Sequence, residues 1–146
     1  MQVTAIIEMG KGSIRRIHKA YDSDTFVDLG SLIEKIPINK GMMPINYGYI
    51  DGVINKDEGD EVDVLVFSKN NTNTGDRIEV TPFALFIRED KDHKVLAYDE
   101  TLYFTPYDDV SPDLRELLIT YFGYHSPIIK IGNKEEAERY INSCAK

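Results

Sequence analysis

The chain has one cysteine, no tryptophan, no basic block beyond Arg15-Arg16, and no apolar run long enough to cross a bilayer. Each shortage removes a class of protein. A lone Cys144 excludes an internal disulfide and a cysteine-based zinc site, and fits a reducing cytoplasm. The N-terminus opens directly on the strand-like Val3–Met9, so neither a signal peptide nor a membrane span is expected. A net charge of −8 disfavours nucleic acid, because non-specific binding needs basic residues against phosphates. His18, His93 and His125 are scattered, which argues against a histidine metal site. Neither a Gly-x-Ser-x-Gly elbow nor an ATP-binding Gly-x-x-x-x-Gly-Lys-Ser/Thr loop occurs.

What is present is acid, and it is concentrated. Asp57, Glu58, Asp60, Glu61 and Asp63 put five carboxylates within seven residues, and the run leads straight into the apolar Val62–Phe67. Acidic clusters are usually solvated loops. This one is joined to a segment that must be buried, so some of its carboxylates are held near one another. Carboxylates so held repel and need a counter-charge to stay ionised. A hard divalent cation such as Mg²⁺, which prefers oxygen ligands, supplies it. A calcium EF-hand does not fit, because Gly59 falls among the first acids and a strand follows where a second helix is required.

The length of 146 residues, with 42% apolar and 29% charged residues, suggests one domain over 1–146 with a single buried core. Strands come first: Val3–Met9, a hairpin of Ile14–Ala20 and Thr25–Leu29 around Asp22-Ser23-Asp24, Asn46–Ile50, and Val62–Phe67. Pro37 to Pro44 and Lys69–Asp76 are expected as loops. Arg77–Arg88 is a long strand in which Pro82 demands an edge or a bulge, and Lys94–Asp99 pairs with it across Glu89–His93. Two helices follow. Ser111 and Pro112 start the first, with Leu114, Leu117, Leu118, Tyr121 and Phe122 as its core stripe. Asn133 and Glu136 start the second, which buries Ala137, Tyr140, Ile141 and Cys144. The order of elements predicts an α+β domain or a barrel with helices.

A second acidic set, Glu89, Asp90 and Asp92, precedes Lys94. In extended chain residues 90, 92 and 94 share one face. Two acidic sets at the ends of strong strands can line one cavity and hold several Mg²⁺ ions, which would turn a bound water into a nucleophile near neutral pH. Phosphoryl transfer also needs donors on the non-bridging oxygens. Arg15, Arg16 and Lys94 are candidates, with Tyr47 as a neutral donor; Arg15 and Arg16 are adjacent on a strand, so at most one enters.

Glu58-Gly59-Asp60-Glu61-Val62-Asp63-Val64-Leu65, Met43-Pro44-Ile45-Asn46-Tyr47-Gly48-Tyr49-Ile50, Asp92-His93-Lys94, Ile7-Glu8 and Asp109–Leu118 together resemble, in order along the chain, the family I soluble inorganic pyrophosphatases. The resemblance implies a five-stranded OB-like β-barrel with two flanking C-terminal helices. It also implies Mg²⁺-dependent hydrolysis of inorganic pyrophosphate, and a homo-oligomer, hexameric in bacterial members. By position it implies Asp60 as the general base, and Glu58, Asp63, Asp90 and Asp92 as Mg²⁺ ligands with Glu8 in support. Arg15, Tyr47 and Lys94 would hold the phosphates. The late phosphate-binding Tyr-Lys pair falls on Tyr124-His125 or on His125-Ser126.

The departures fall mainly on the phosphate side. The family's first signature Asp is Glu58 here, its phosphate-binding Lys is Arg15, the Glu paired with that Lys falls on Ile17, and its next Arg falls on Leu29. The expectation is a kept metal-binding half and a thinned phosphate-binding half, with lowered pyrophosphate turnover. Two readings stay open beside it: a larger organic phosphoanhydride as substrate, or a non-catalytic relative that binds metal or a phosphorylated ligand.

Overall fold

The apolar stretch in the middle of the chain is buried on both sides, and that requirement organises the fold. The computed structural model describes residues 1–21 and 23–145. In chain order it contains β1 (Val3–Met9), β2 (Arg15–Lys19), β3 (Phe26–Ser31), α1 (Leu32–Lys35), β4 (Asn46–Ile54), β5 (Glu61–Phe67), β6 (Arg77–Arg88), β7 (Lys94–Tyr98), α2 (Pro112–Phe122), β8 (Ile128–Gly132) and α3 (Lys134–Cys144). Five strands close into a barrel in the order β1-β4-β5-β7-β6, with β6 returning to β1. All of these pairings are antiparallel except β5–β7. The far end of β6 also carries β8, and β2–β3 form a separate hairpin.

Residues from all five barrel strands, including Ala5, Ile7, Ile50, Val62, Val64, Val80, Leu85 and Val95, form the barrel interior. α3 closes one end of it with Ala137, Ile141 and Cys144. The opposite face of the same strands, through Leu65, Phe67, Phe86 and Leu96, packs under α2 by way of Leu118, Tyr121 and Phe122. β5 therefore reads as a continuous apolar run because its two faces serve two cores. Each such side chain taken from water contributes about 1.5–3 kcal/mol. Gly48 lets β4 lie on β1: a Cβ there would sit 2.0 Å from the Ile6 carbonyl oxygen.

Most expected elements are present, and the two C-terminal helices flank the barrel as anticipated. Pro82 sits at a register slip between Pro82 and Ala84, the bulge it demanded. Asn133 and Glu136 form a reciprocal capping box, whereas the Ser111 side chain makes no capping bond. Asp22 of the expected hairpin turn lies outside the described residues. Two elements were not anticipated: the four-residue α1 and β8. Neither has a period long enough to register, and β8 owes its conformation to the edge of β6. Among the described residues no helix is long and apolar enough to cross a membrane.

Candidate active site on the outer face of the barrel

Strand parity decides which side chains meet. Glu8 alternates with the inward Ile7, Asp63 with Val62 and Val64, Lys94 with Val95, and Arg88 shares the outward face of Phe86. These outward side chains line a cavity of about 410 Å³ between the barrel wall, the β2–β3 hairpin, α1 and the end of α2. Acidic residues Glu8, Glu58, Asp60, Glu61, Asp63, Asp90 and Asp92 line it. So do Arg16, Lys19, Lys35, Arg88 and Lys94, together with Tyr47 and His125. The two acidic sets thus share one space, as their strand-end positions suggested.

The parallel β5–β7 ladder sets Asp63 directly opposite Lys94. Lys94 is 5% exposed, and its ammonium spends its three donors on Asp63 Oδ2 (2.5 Å), Asp92 Oδ2 (3.1 Å) and the Tyr47 hydroxyl (3.1 Å). Burial works against its charge, but Asp63 and Asp92 outweigh burial and hold it well above the ordinary lysine value. Tyr47 stacks on Phe122 with ring planes 6° apart. Burial, reinforced by Asp63, lifts its hydroxyl well above the ordinary range, so it stays a protonated donor.

The loop carrying Glu58 and Asp60 is closed by the buried Asn55. Its N–H donates to the Asp60 carbonyl (2.7 Å), and its own carbonyl accepts from Gly59 N–H (2.8 Å). Gly59 adopts φ +75°, a conformation costly for other residues. The Asn55 amide also donates to the Lys91 carbonyl at 3.4 Å, tying the first acidic loop to the second acidic turn. That turn is clamped in its place by Asp90 N–H on the Ser126 hydroxyl (3.0 Å) and Glu89 N–H on the Pro127 carbonyl (3.0 Å).

The cavity carries unbalanced negative charge. Glu8 is 1% exposed and accepts Lys19 N–H at 2.7 Å, yet burial, with Asp63 and Glu61 adding repulsion, pushes its carboxyl up to about 7. Burial and the Asp63 charge likewise raise Asp92. An all-oxygen donor set with surplus charge fits a hard cation such as Mg²⁺. The carboxylates do not, however, close on one point. Among the described residues no three His, Cys, Asp or Glu side chains converge as a ligand set. Lys94 stands between Asp63 and Asp92, and Arg88 between Asp90 and Asp92. The expected ligands Glu58, Asp63, Asp90 and Asp92 and the expected base Asp60 thus share one cavity, but among the described residues they do not form a closed ligand set.

Two expected phosphate contacts lie elsewhere. Arg15 is exposed and pairs two-pronged with Asp28, Nη2 to Oδ1 at 2.9 Å and Nε to Oδ2 at 3.0 Å, outside the cavity. A register slip between Arg15 and Ile17 gives the inward place to Arg16. Tyr124 is 48% exposed and does not line the cavity; its neighbour His125 does, donating from Nε2 to the Lys35 carbonyl (2.7 Å). Leu29 is also exposed, and the hairpin side is served instead by Lys35 of α1. Burial, then repulsion from Arg16, Lys94 and Arg88, lowers the Lys35 ammonium, the mark of cations gathered around one space. The cations that line this side of the cavity are therefore Arg16 and Lys35, not Arg15. Lys35 gave no sequence signal, because α1 is one turn long. Arg88 had one: it shares the strand parity of Phe86.

The inorganic pyrophosphatase family model matches residues 5–146. The inorganic pyrophosphatase of Nanoarchaeum equitans is 33% identical over 162 aligned positions, covering 99% of this chain and 96% of that protein. That of Aeropyrum pernix is 39% identical over 90 residues, covering 56% of this chain, and the alignment spans about half (51%) of that enzyme. The crystal structure of the inorganic pyrophosphatase from Ehrlichia chaffeensis superposes with a TM-score of 0.86 at 24% identity, covering 98% of this chain and 92% of that one, and shares the fold.

Proposed function

The chain belongs to the inorganic pyrophosphatase family, a family of hydrolases, and we propose that the cavity on the outer face of its barrel is where pyrophosphate is split into two phosphates with Mg²⁺ as cofactor. The observation that carries this reading is the meeting of Arg16, Lys35 and Lys94 with Asp60 and Asp63 in one cavity beneath Tyr47. Anion-binding groups and a carboxylate base lie within one enclosure, as hydrolysis of an anionic anhydride requires.

Water attacks one phosphorus while the bridging P–O bond breaks, and its proton passes to the Asp60 carboxylate. The bridging oxygen leaves with the second phosphate, where Arg16, Lys35 and Lys94 offset the charge that gathers on it. The Tyr47 hydroxyl donates to a non-bridging oxygen and helps to fix the attack line. Glu58, Asp63 and Asp92 would hold Mg²⁺, with the buried Glu8 adding negative charge behind them. The ion, when bound, lowers the pKa of the attacking water and neutralises phosphate charge. In this reading the enzyme works in the cytoplasm as a homo-oligomer, and light scattering after size-exclusion chromatography checks the assembly.

The test is phosphate release from pyrophosphate with Mg²⁺, before and after Asp60→Asn. The variant is expected to fold and to lose about 10²–10⁴-fold in turnover. A folded, Mg²⁺-saturated native protein that releases no phosphate overturns the reading. In a substrate panel pyrophosphate should stand far above organic diphosphates.

A further inference from the structure

Arg88, like Lys94, is a buried cation of the cavity. It ends the twelve-residue β6, its side chain shares the outward parity of Phe86, and it is only 8% exposed. Arginine is seldom so buried unless paired. Its Nη2 lies 3.6 Å from Asp90 Oδ2, and its Nη1 lies 3.4 Å from Asp92 Oδ2 and donates to the Asp92 carbonyl at 3.2 Å. The backbone N–H of Arg88 donates to His93 Nδ1 at 3.0 Å, which closes the same turn from its base. The buried Nε has no acceptor, so ion pairs and not hydrogen bonds along the stem decide where the guanidinium rests.

Resting on the Mg²⁺ reading above, we propose that Arg88 is a built-in cation on the Asp90–Asp92 turn, taking the place of a metal ion there, so that the enzyme binds one divalent cation fewer with Arg88 than without it. The chemistry of the two kinds of cation favours this division. A guanidinium is planar, forks between two carboxylates, and does not give up its proton. Mg²⁺ demands near-octahedral oxygen ligands and keeps water. An ion bridging Asp90 and Asp92 would have to share both carboxylates with a fixed positive charge and sit beside Lys94, itself 3.1 Å from Asp92. Among the described residues Asp63 contacts Lys94 but no arginine, and with Glu58, Asp60 and Glu61 on the same side the negative charge there outnumbers that one cation. The functional consequence is that part of the positive charge facing the substrate does not depend on free Mg²⁺.

The test counts bound ions in the complete protein, with Mn²⁺ as the probe followed by electron paramagnetic resonance, and Mg²⁺ by calorimetry. In the native protein Asp90→Asn is expected to leave the count unchanged and affinity within about twofold. Arg88→Gln is expected to add one ion or tighten one by tenfold or more, and Asp90→Asn on that background to remove the gain. Arg88→Lys should keep the native count. The proposal is overturned by a native protein that loses an ion on Asp90→Asn, or by a folded Arg88→Gln that binds no more than the native chain. Should Arg88→Gln fail to fold, the exposed Asp90 still decides the matter in the native background. The metal reading itself fails on a different result, a native protein that takes up no divalent ion at all.

Discussion

One wall of the cavity is formed by β5 and β7, the other by the β2–β3 hairpin with α1, and they are held by different restraints. On the first, five consecutive parallel pairs from Asp63↔Lys94 to Phe67↔Tyr98 lock the register, and both faces of β5 are buried. On the second, the hairpin pairs only with itself, carries a register slip, and contains no fully buried residue. Its polar ties to the barrel among the described residues include Lys19 N–H on Glu8 and Lys19 Nζ near Glu61 (3.4 Å), and its apolar anchor is Leu32 of α1, buried with Leu65 and Phe86. Segments with so few buried contacts open locally at lower cost than core strands. The contrast implies that the β5–β7 wall fixes its charges in position, whereas the hairpin presents Arg16 to the cavity from a more loosely supported frame.

The largest effect that would break this contrast belongs to the fixed wall. Lys94→Met removes the only cation in contact with Asp63 among the described residues and leaves two partly buried carboxylates facing each other. Loss of one partner of a buried pair costs about 3–5 kcal/mol, with the lower end expected because Asp92 is about one-third exposed (32%). Urea unfolding in a chelator should show that loss, and Mg²⁺ should return part of it. A Lys94→Met protein as stable as the native one would mean that the ladder, and not the charge, holds this wall.

A smaller effect sharpens the other side. Arg16→Ala should lower kcat/KM by roughly one to two decades, the range for about 1.5–3 kcal/mol of lost charge-assisted bonding. Arg15→Ala should change kcat/KM little and stability by less than about 1 kcal/mol, as exposed ion pairs do. Steady-state kinetics on both variants separates the two neighbours. The reverse ranking would mean that the hairpin shifts its register when substrate binds.

The same contrast explains what could be read in advance. On the barrel wall, alternation and motif spacing were enough: Asp63, Lys94, Tyr47 and Glu8 all reach the cavity, because regular strands convert position into direction. On the hairpin wall a single bulge exchanged Arg15 for Arg16, and parity counted along a strand has no means of detecting an inserted residue. Lys35 was hidden in a one-turn helix. Tyr124 and His125 lie just past the end of α2, where no period remains to choose between them. Arg88 was readable by parity, since it shares the outward face of Phe86 on a regular strand.

Glu8 joins the walls, and it offers the subtlest measurement. It stands on β1 and receives the Lys19 amide of the hairpin, with its carboxyl raised from 4.5 to about 7, chiefly by burial. The folded protein therefore holds this proton more tightly than the unfolded chain. Its contribution to stability is complete below about pH 4.5 and is lost as pH rises through about 7, where the buried charge must be borne. Glu8→Gln keeps an oxygen for the Lys19 amide and carries no charge, so it does not titrate in that window. Relative to the native protein, the metal-free variant should be equal near pH 4, gain steadily between pH 4.5 and 7, and level off on the order of 3 kcal/mol above it. Urea midpoints at three pH values are sufficient. Mg²⁺ should shrink the difference, since an ion that favours the charged carboxyl stabilises the native protein more than the variant. Should the native protein instead gain on Glu8→Gln with rising pH, the carboxylate is satisfied by the hairpin alone, and the surplus charge invoked for metal binding is absent at this joint.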